Sequence, residues 1–153
     1  MEISDALRAL VVQSELIEVL LFELSAKRIE DFEGSKVSER IEVTPIYNLI
    51  TASTDDQMGF QLRITTKLTL DVGEISCDIA SRYKLKEKIQ EELDNELLVE
   101  YANEVALMTL IPFIRQHIAD ISQRVLGFPL LMPVMQRGQI KFAPNKEIAQ
   151  ETN

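Results

Sequence analysis

The chain has 153 residues, one cysteine, one histidine and a formal net charge of −9. That is one ordinary domain, able to bury roughly 68–70% of its unfolded surface without a staple. The lone Cys77 excludes an internal disulfide, and the acidic balance runs against nucleic-acid binding, whose affinity comes from neutralised phosphates.

The start, MEISDALRAL, has no basic segment of the kind that opens a secretory signal. Apolar stretches fall short of the roughly 20 residues that span a bilayer. A soluble, cytoplasmic protein without membrane insertion is expected.

In chain order, Ile3, Ala6, Leu7, Leu10 and Val11 mark one apolar helical face over 3–14, with Ser4 or Asp5 as cap. In 16–30, Leu20, Phe22, Leu24 and Ala26 alternate with Leu21, Glu23, Ser25 and Lys27, which predicts a strand. The polar stretch 31–39 is a connection. The β-branched run 40–52 contains Tyr47 and also Pro45, which has no N–H for a ladder and points to an edge or a bulge. After a turn at 53–59, the run 60–70 alternates cleanly, with Phe60, Leu62, Ile64, Thr66, Leu68 and Leu70 on one face. The turn 71–73 leads to Ile75, Cys77, Ile79, Ser81, Tyr83 and Leu85, again one face of a strand. Short connections imply antiparallel pairing, with one apolar and one polar face.

From 86 the pattern turns helical. Leu97, Leu98, Tyr101, Val105 and Met108 form one stripe, and Leu107, Leu110, Ile111, Ile114, Ile118, Ile121 and Val125 a second. A helix apolar around so much of its circumference calls for cover on two sides, its own sheet and another subunit. Pro112 predicts a bend near 108–112. Four strands followed by a helix read as an α+β fold. The expected form is a four-stranded antiparallel sheet with a long kinked helix on one face and an extra short N-terminal helix.

No catalytic constellation is legible. His117 has no second histidine for a zinc site, Cys77 lies on the apolar side of a strand, and no glycine-rich phosphate loop occurs. Glu87, Glu91, Glu92, Asp94 and Glu96 read as a solvated helix start. The expectation is a binding protein without cofactor or metal, not an enzyme.

Residues 112–134, PFIRQHIADISQRVLGFPLLMPV, resemble the signature of the SecB family of export chaperones. The matching residues are Pro112, Phe113, Arg115, Arg124, Phe128, Pro129, Pro133 and Val134, with eight residues between the arginines and the family's leucine on Leu131. The resemblance extends over 16–135 and implies a single SecB-like domain over 1–153. Within it, 1–15 is an added N-terminal helix and 136–153 a reduced tail in place of a second long helix.

It further implies a homotetramer, a dimer of dimers, that holds unfolded polypeptides in apolar grooves without ATP. Such a protein serves export or a dedicated partner such as a toxin–antitoxin system. The alternative is an adaptor or structural protein of the same fold, bound to one fixed protein. The family's partner SecA docks on an acidic sheet face, whereas this chain places Arg63 and Lys67 on the solvent face of its third strand. Gly127, Pro129 and Pro133 keep 127–135 from becoming helical. Tyr47, Phe113, Phe128, Leu131, Met132 and Met135 are the expected client-groove residues, adaptable apolar side chains suited to many sequences. Against this stands a simpler role for Phe128, Leu130 and Leu131, as a plug packed under the helix.

Overall fold

The computed structural model describes residues 3–29, 45–132 and 138–144. Helix α1 (Asp5–Gln13) starts at Ser4, whose hydroxyl accepts from the Leu7 N–H at 3.1 Å. The Ser4 hydroxyl donates to a Glu100 carboxylate oxygen at 2.6 Å, tying this end to the helical segment Asn95–Tyr101. Leu7 and Leu10 are fully buried.

The chain passes directly into β1 (Ser14–Arg28), followed by β2 (Ile46–Ser53), β3 (Gly59–Leu70) and β4 (Gly73–Leu85). They form one antiparallel sheet in the order β1-β4-β3-β2. β2 begins directly after Pro45 and lies at an edge, where a missing N–H costs no ladder bond. Every apolar-face residue expected on β3 and β4 is buried, from Phe60 to Leu70 and from Ile75 to Leu85.

β1 departs from simple alternation. Its pairing with β4 shifts between Leu16 and Glu18 and again between Leu21 and Glu23, so Ile17 and Phe22 are inserted residues. Each insertion reverses which parity faces the core. Leu24 pairs with Cys77 and Ala26 with Ile75 on the core face, whereas Leu20 pairs with Ala80 on the other face. The set Leu20, Phe22, Leu24 and Ala26 is therefore split between faces.

The outer face gains apolar cover as a result. The Arg63 guanidinium lies 4.3 Å from the Phe22 ring centroid and donates to Asp78. Asp78 is buried and Ala80 fully so, although both belong to that face.

The long helix starts later than its pattern suggests. Residues 86–94 are irregular, and α2 (Asn95–Tyr101) is capped by Asp94, whose carboxylate accepts from the Leu97 N–H at 2.9 Å. A capping aspartate favours that start over one inside the preceding glutamate run. Ile89 and Leu93 are buried, anchoring the irregular segment.

A π-helical turn (Ala102–Ala106) joins α2 to α3 (Leu107–Leu126). The helix continues through Pro112, and its irregularity falls at 102–106 rather than at 108–112. The π-turn accommodates an additional residue and shifts the helix's phase. Upstream, Leu97, Leu98 and Tyr101 serve a core cluster with α1, Phe60 and Tyr83. Downstream, Leu107, Leu110, Ile114 and Ile118 serve a second cluster with Ile64, Leu68, Ile75, Cys77 and Ile79. One straight stripe could not face both. In the upstream cluster Phe60 stacks on Tyr83 at 4.7 Å and meets Tyr101 edge-on at 5.0 Å.

The run Asn95–Leu126 is long and apolar enough to cross a membrane by length and composition, although charges interrupt it. In this fold 56% of its apolar window is buried within the protein.

Candidate functional site

At the end of α3 the chain turns on Gly127, whose φ of 88° is a left-handed conformation that stops a helix without a Cβ penalty. Ser122, fully buried one turn earlier, donates its hydroxyl to the Ala119 carbonyl at 3.1 Å. The same oxygen accepts from the Leu130 N–H at 2.7 Å. That bond holds the segment after Gly127 against the helix in extended form. Leu130 and Met132 point into the core, 7% and 6% exposed, while Leu131 between them is 77% exposed. Pro129 is exposed and Phe128 half-buried against the downstream cluster.

A second, irregular segment lies beside this cluster, with a turn at Gly138. Over 138–144 burial alternates: Ile140 and Phe142 are half-buried and packed against the cluster, whereas Gln139, Lys141 and Ala143 are exposed. No helix forms over these residues. The segment is fixed by Asn103, in the π-turn. Its amide Nδ2 donates to the Phe142 carbonyl at 2.9 Å, and its Oδ1 accepts from the Phe142 N–H at 2.8 Å. Tyr47 and Leu49, on the core face of the edge strand β2, are half-buried against the same cluster. Partial burial raises the Tyr47 phenol above its ordinary pKa by desolvation.

The expected groove residues are thus placed differently from one another. Tyr47 and Phe128 both line the partly covered rim of the downstream cluster. Met132 is inside that cluster, and Leu131 projects outward. Phe113 is 43% exposed on α3, outside both clusters. Met135, with Pro133 and Val134, lies outside the described residues. Leu49, Asn103, Ile140 and Phe142 were not singled out from sequence. The alternation of Ile140 and Phe142 with polar neighbours was a usable signal for two of them. Nothing in the sequence marks Asn103, because its role depends on the π-turn.

Other features offer less. Cys77 is fully buried, and desolvation pushes its thiol pKa up to about 11, so it is no nucleophile near neutral pH. Among the described residues no group of three or more His, Cys, Asp or Glu could hold a metal ion. An open cleft of about 440 Å³ on the outer sheet face is lined by Ile17, Ala52, Gln61, Arg82 and Lys84, among others. Its polar groups are already engaged: Arg82 donates to Gln61 and Glu18, and Thr54 and Asp56 bond each other.

Neither a family model nor any curated protein matches this sequence. Solved structures do match the fold. The Rv1957 SecB-like chaperone of Mycobacterium tuberculosis, in complex with a ChAD peptide from the Rv1956 HigA1 antitoxin, has a TM-score of 0.71 at 18% identity. That match covers 86% of this chain and 94% of the other. A protein of unknown function from Streptococcus agalactiae matches at a TM-score of 0.43 and 8% identity, over 80% of this chain and 98% of that one. The first establishes a SecB-like fold; the second is too distant to carry an argument.

Proposed function

We propose that this chain is an ATP-independent chaperone of SecB type that binds extended, apolar polypeptide segments. One observation carries the reading: Ile140 and Phe142, on an irregular stretch of chain, pack against the same apolar cluster that Tyr47, Leu49 and Phe128 border half-buried. Ile140 and Phe142 are held there by apolar side-chain contact, the interaction a holdase needs with many sequences. The solved neighbour was captured with an antitoxin peptide, which favours a dedicated client of that kind over general export.

SecA is the weaker partner. The outer face carries Arg63 bonded to Asp78, Arg82 to Glu18 and Lys84 beside Glu15, a paired surface rather than an acidic one. That face also exposes Ile17, Phe22, Ile46 and Ile50. These residues support the adaptor alternative, in which one fixed protein covers the sheet.

A cytoplasmic homotetramer, a dimer of dimers, is the assembly that fits. Among the described residues β1 is an edge strand of 15 residues, whose outer ladder could take a second chain. α3 exposes Met108 and Phe113 for a further contact.

The test is suppression of aggregation. The purified protein is mixed with a thermally unfolding model client and light scattering is followed without ATP. Protection near stoichiometry, reduced by Leu131→Glu and Tyr47→Glu with the fold intact by circular dichroism, supports the holdase. Absence of protection by the wild type rejects it and leaves the fixed-partner adaptor. Light scattering of the protein alone gives a tetramer; a monomer rejects the assembly.

A further inference from the structure

The two hydrogen bonds from Asn103 go to the N–H and the C=O of a single residue, Phe142. A side-chain amide has the same donor and acceptor as a peptide group. Asn103 therefore pairs with the Phe142 backbone through both its groups, as a neighbouring strand residue would. Its bonds ignore the side chain of the residue they hold. Selectivity is left to the side chains of the segment, and here Ile140 and Phe142 pack against the apolar cluster while Lys141 stays exposed.

The π-turn is what puts an amide there. It divides the helix between two core clusters and places a polar residue, Asn103, beside the downstream one. π-turns recur at functional sites because the extra residue lowers helix stability and persists only where something uses it. A purely structural role does not require a bond pattern indifferent to side chain. A site that accepts foreign segments does.

Building on the chaperone reading above, we propose that Asn103 is a backbone-reading binding residue. The Ile140-Lys141-Phe142 stretch is a tethered occupant of its site, displaced by client segments of the same aliphatic-x-aromatic form. The occupant is identified by what is seated there: a segment with Ile140 and Phe142 against the apolar cluster and both backbone groups of the aromatic residue paired. Held in the same chain, it competes with any client at a high effective concentration and keeps the rim covered when no client is bound.

The probe is a fluorescein-labelled heptapeptide with the sequence of residues 138–144, GQIKFAP. A second copy is N-methylated on its phenylalanine, which removes the one N–H that Asn103 accepts from. Binding is read by fluorescence anisotropy on the full-length protein. The wild type, its rim occupied, binds the plain peptide weakly. A full-length variant with Ile140→Ser and Phe142→Ser binds it at least about tenfold more tightly, as expected when an intramolecular competitor is removed. In that variant N-methylation weakens binding by about tenfold, the scale of a lost buried hydrogen bond. Adding Asn103→Leu weakens the plain peptide by a similar factor or more, and N-methylation then has little further effect.

Equal affinity of the two peptides for the emptied variant overturns the role of Asn103, and that comparison needs no Asn103 substitution to fold. Equal affinity of wild type and emptied variant for the plain peptide overturns the tethered occupant. If both results occur while the aggregation assay still shows protection, the chaperone reading stands and this inference falls alone. If neither the peptides nor the unfolding client bind any variant, both fall.

Discussion

Ser122→Ala isolates what holds the post-helix segment in place. The hydroxyl is fully buried and makes two bonds, to the Ala119 carbonyl and from the Leu130 N–H. The first is dispensable, since that carbonyl lies in the helix interior, where backbone N–H groups serve as partners. The second is not: Leu130 is buried, and its N–H loses its partner. Stranding a buried donor costs about 1–3 kcal/mol, and alanine's better helix propensity returns about 0.5 kcal/mol. The net loss is roughly 0.5–2.5 kcal/mol, or about 1–10 °C in Tm for a domain of this size. Thermal unfolding at fixed protein concentration measures it, and amide hydrogen exchange gives a local readout, with the Leu130 amide exchanging faster in the variant. Gln123→Ala is the control, because its 3.4 Å bond to the Gly127 carbonyl is exposed. It shifts stability by under about 0.5 kcal/mol. A Ser122→Ala protein as stable as the wild type, with Leu130 still protected, would refute the reasoning.

Two further outcomes follow from burial. Leu130→Ala destabilises by about 2–5 kcal/mol, as for other large core truncations, while Leu131→Ala, at a 77% exposed position, shifts stability by under about 0.5 kcal/mol. Comparable losses from both in urea denaturation contradict the inward–outward alternation. Cys77 resists a thiol-reactive disulfide reagent at pH 8 until the protein is unfolded, because its thiol is buried and its pKa is pushed up to about 11. The unfolded chain releases that proton near pH 9, its ordinary value, before the folded one does. The folded state then binds more protons, so this group's contribution to stability is full below about pH 9 and is lost as pH rises towards about 11. Fast labelling of the native protein at pH 8 contradicts the placement.

Much of the sheet was legible because β3 and β4 keep strict alternation along their whole length, so periodicity and burial coincide there. The N-terminal helix was legible for the same reason, and Ser4 caps it as its position suggested. The long helix was legible as a helix but not in its bounds. Its charged start has helical propensity, yet docking of Ile89 and Leu93 and the Asp94 cap decide that residues 86–94 stay irregular. Pro112 was the visible reason for a bend, but a proline acts on one turn, whereas serving two separate core clusters needed a phase shift further upstream. At the rim, Tyr47 and Phe128 were readable as apolar residues in the right elements. Asn103 was not, since an asparagine in a helical pattern carries no mark of the backbone it will meet.

The bulges of β1 show why composition misleads about the outer face. A strand read with period two assigns every second residue to one side, and one inserted residue reverses that assignment for all that follow. Two insertions, at Ile17 and Phe22, return the strand to core-facing register at Leu24 after placing Leu20 on the other side. Had the strand run without bulges, the outer face would lack Phe22, and Arg63 would have Asp78 but no aromatic ring. The ring and the ion pair together bury Asp78 at the centre of a face that simple alternation would leave polar and wet. That is a costly arrangement for a surface facing only water, because a buried carboxylate loses hydration that its partner must offset. Arg63 offsets that loss by donating to both carboxylate oxygens of Asp78. The exposed Ile46 and Ile50 on the neighbouring edge strand add apolar area to the same side. The inserted residues of β1 thus place apolar area and a bidentate ion pair together on the side of the sheet away from both core clusters.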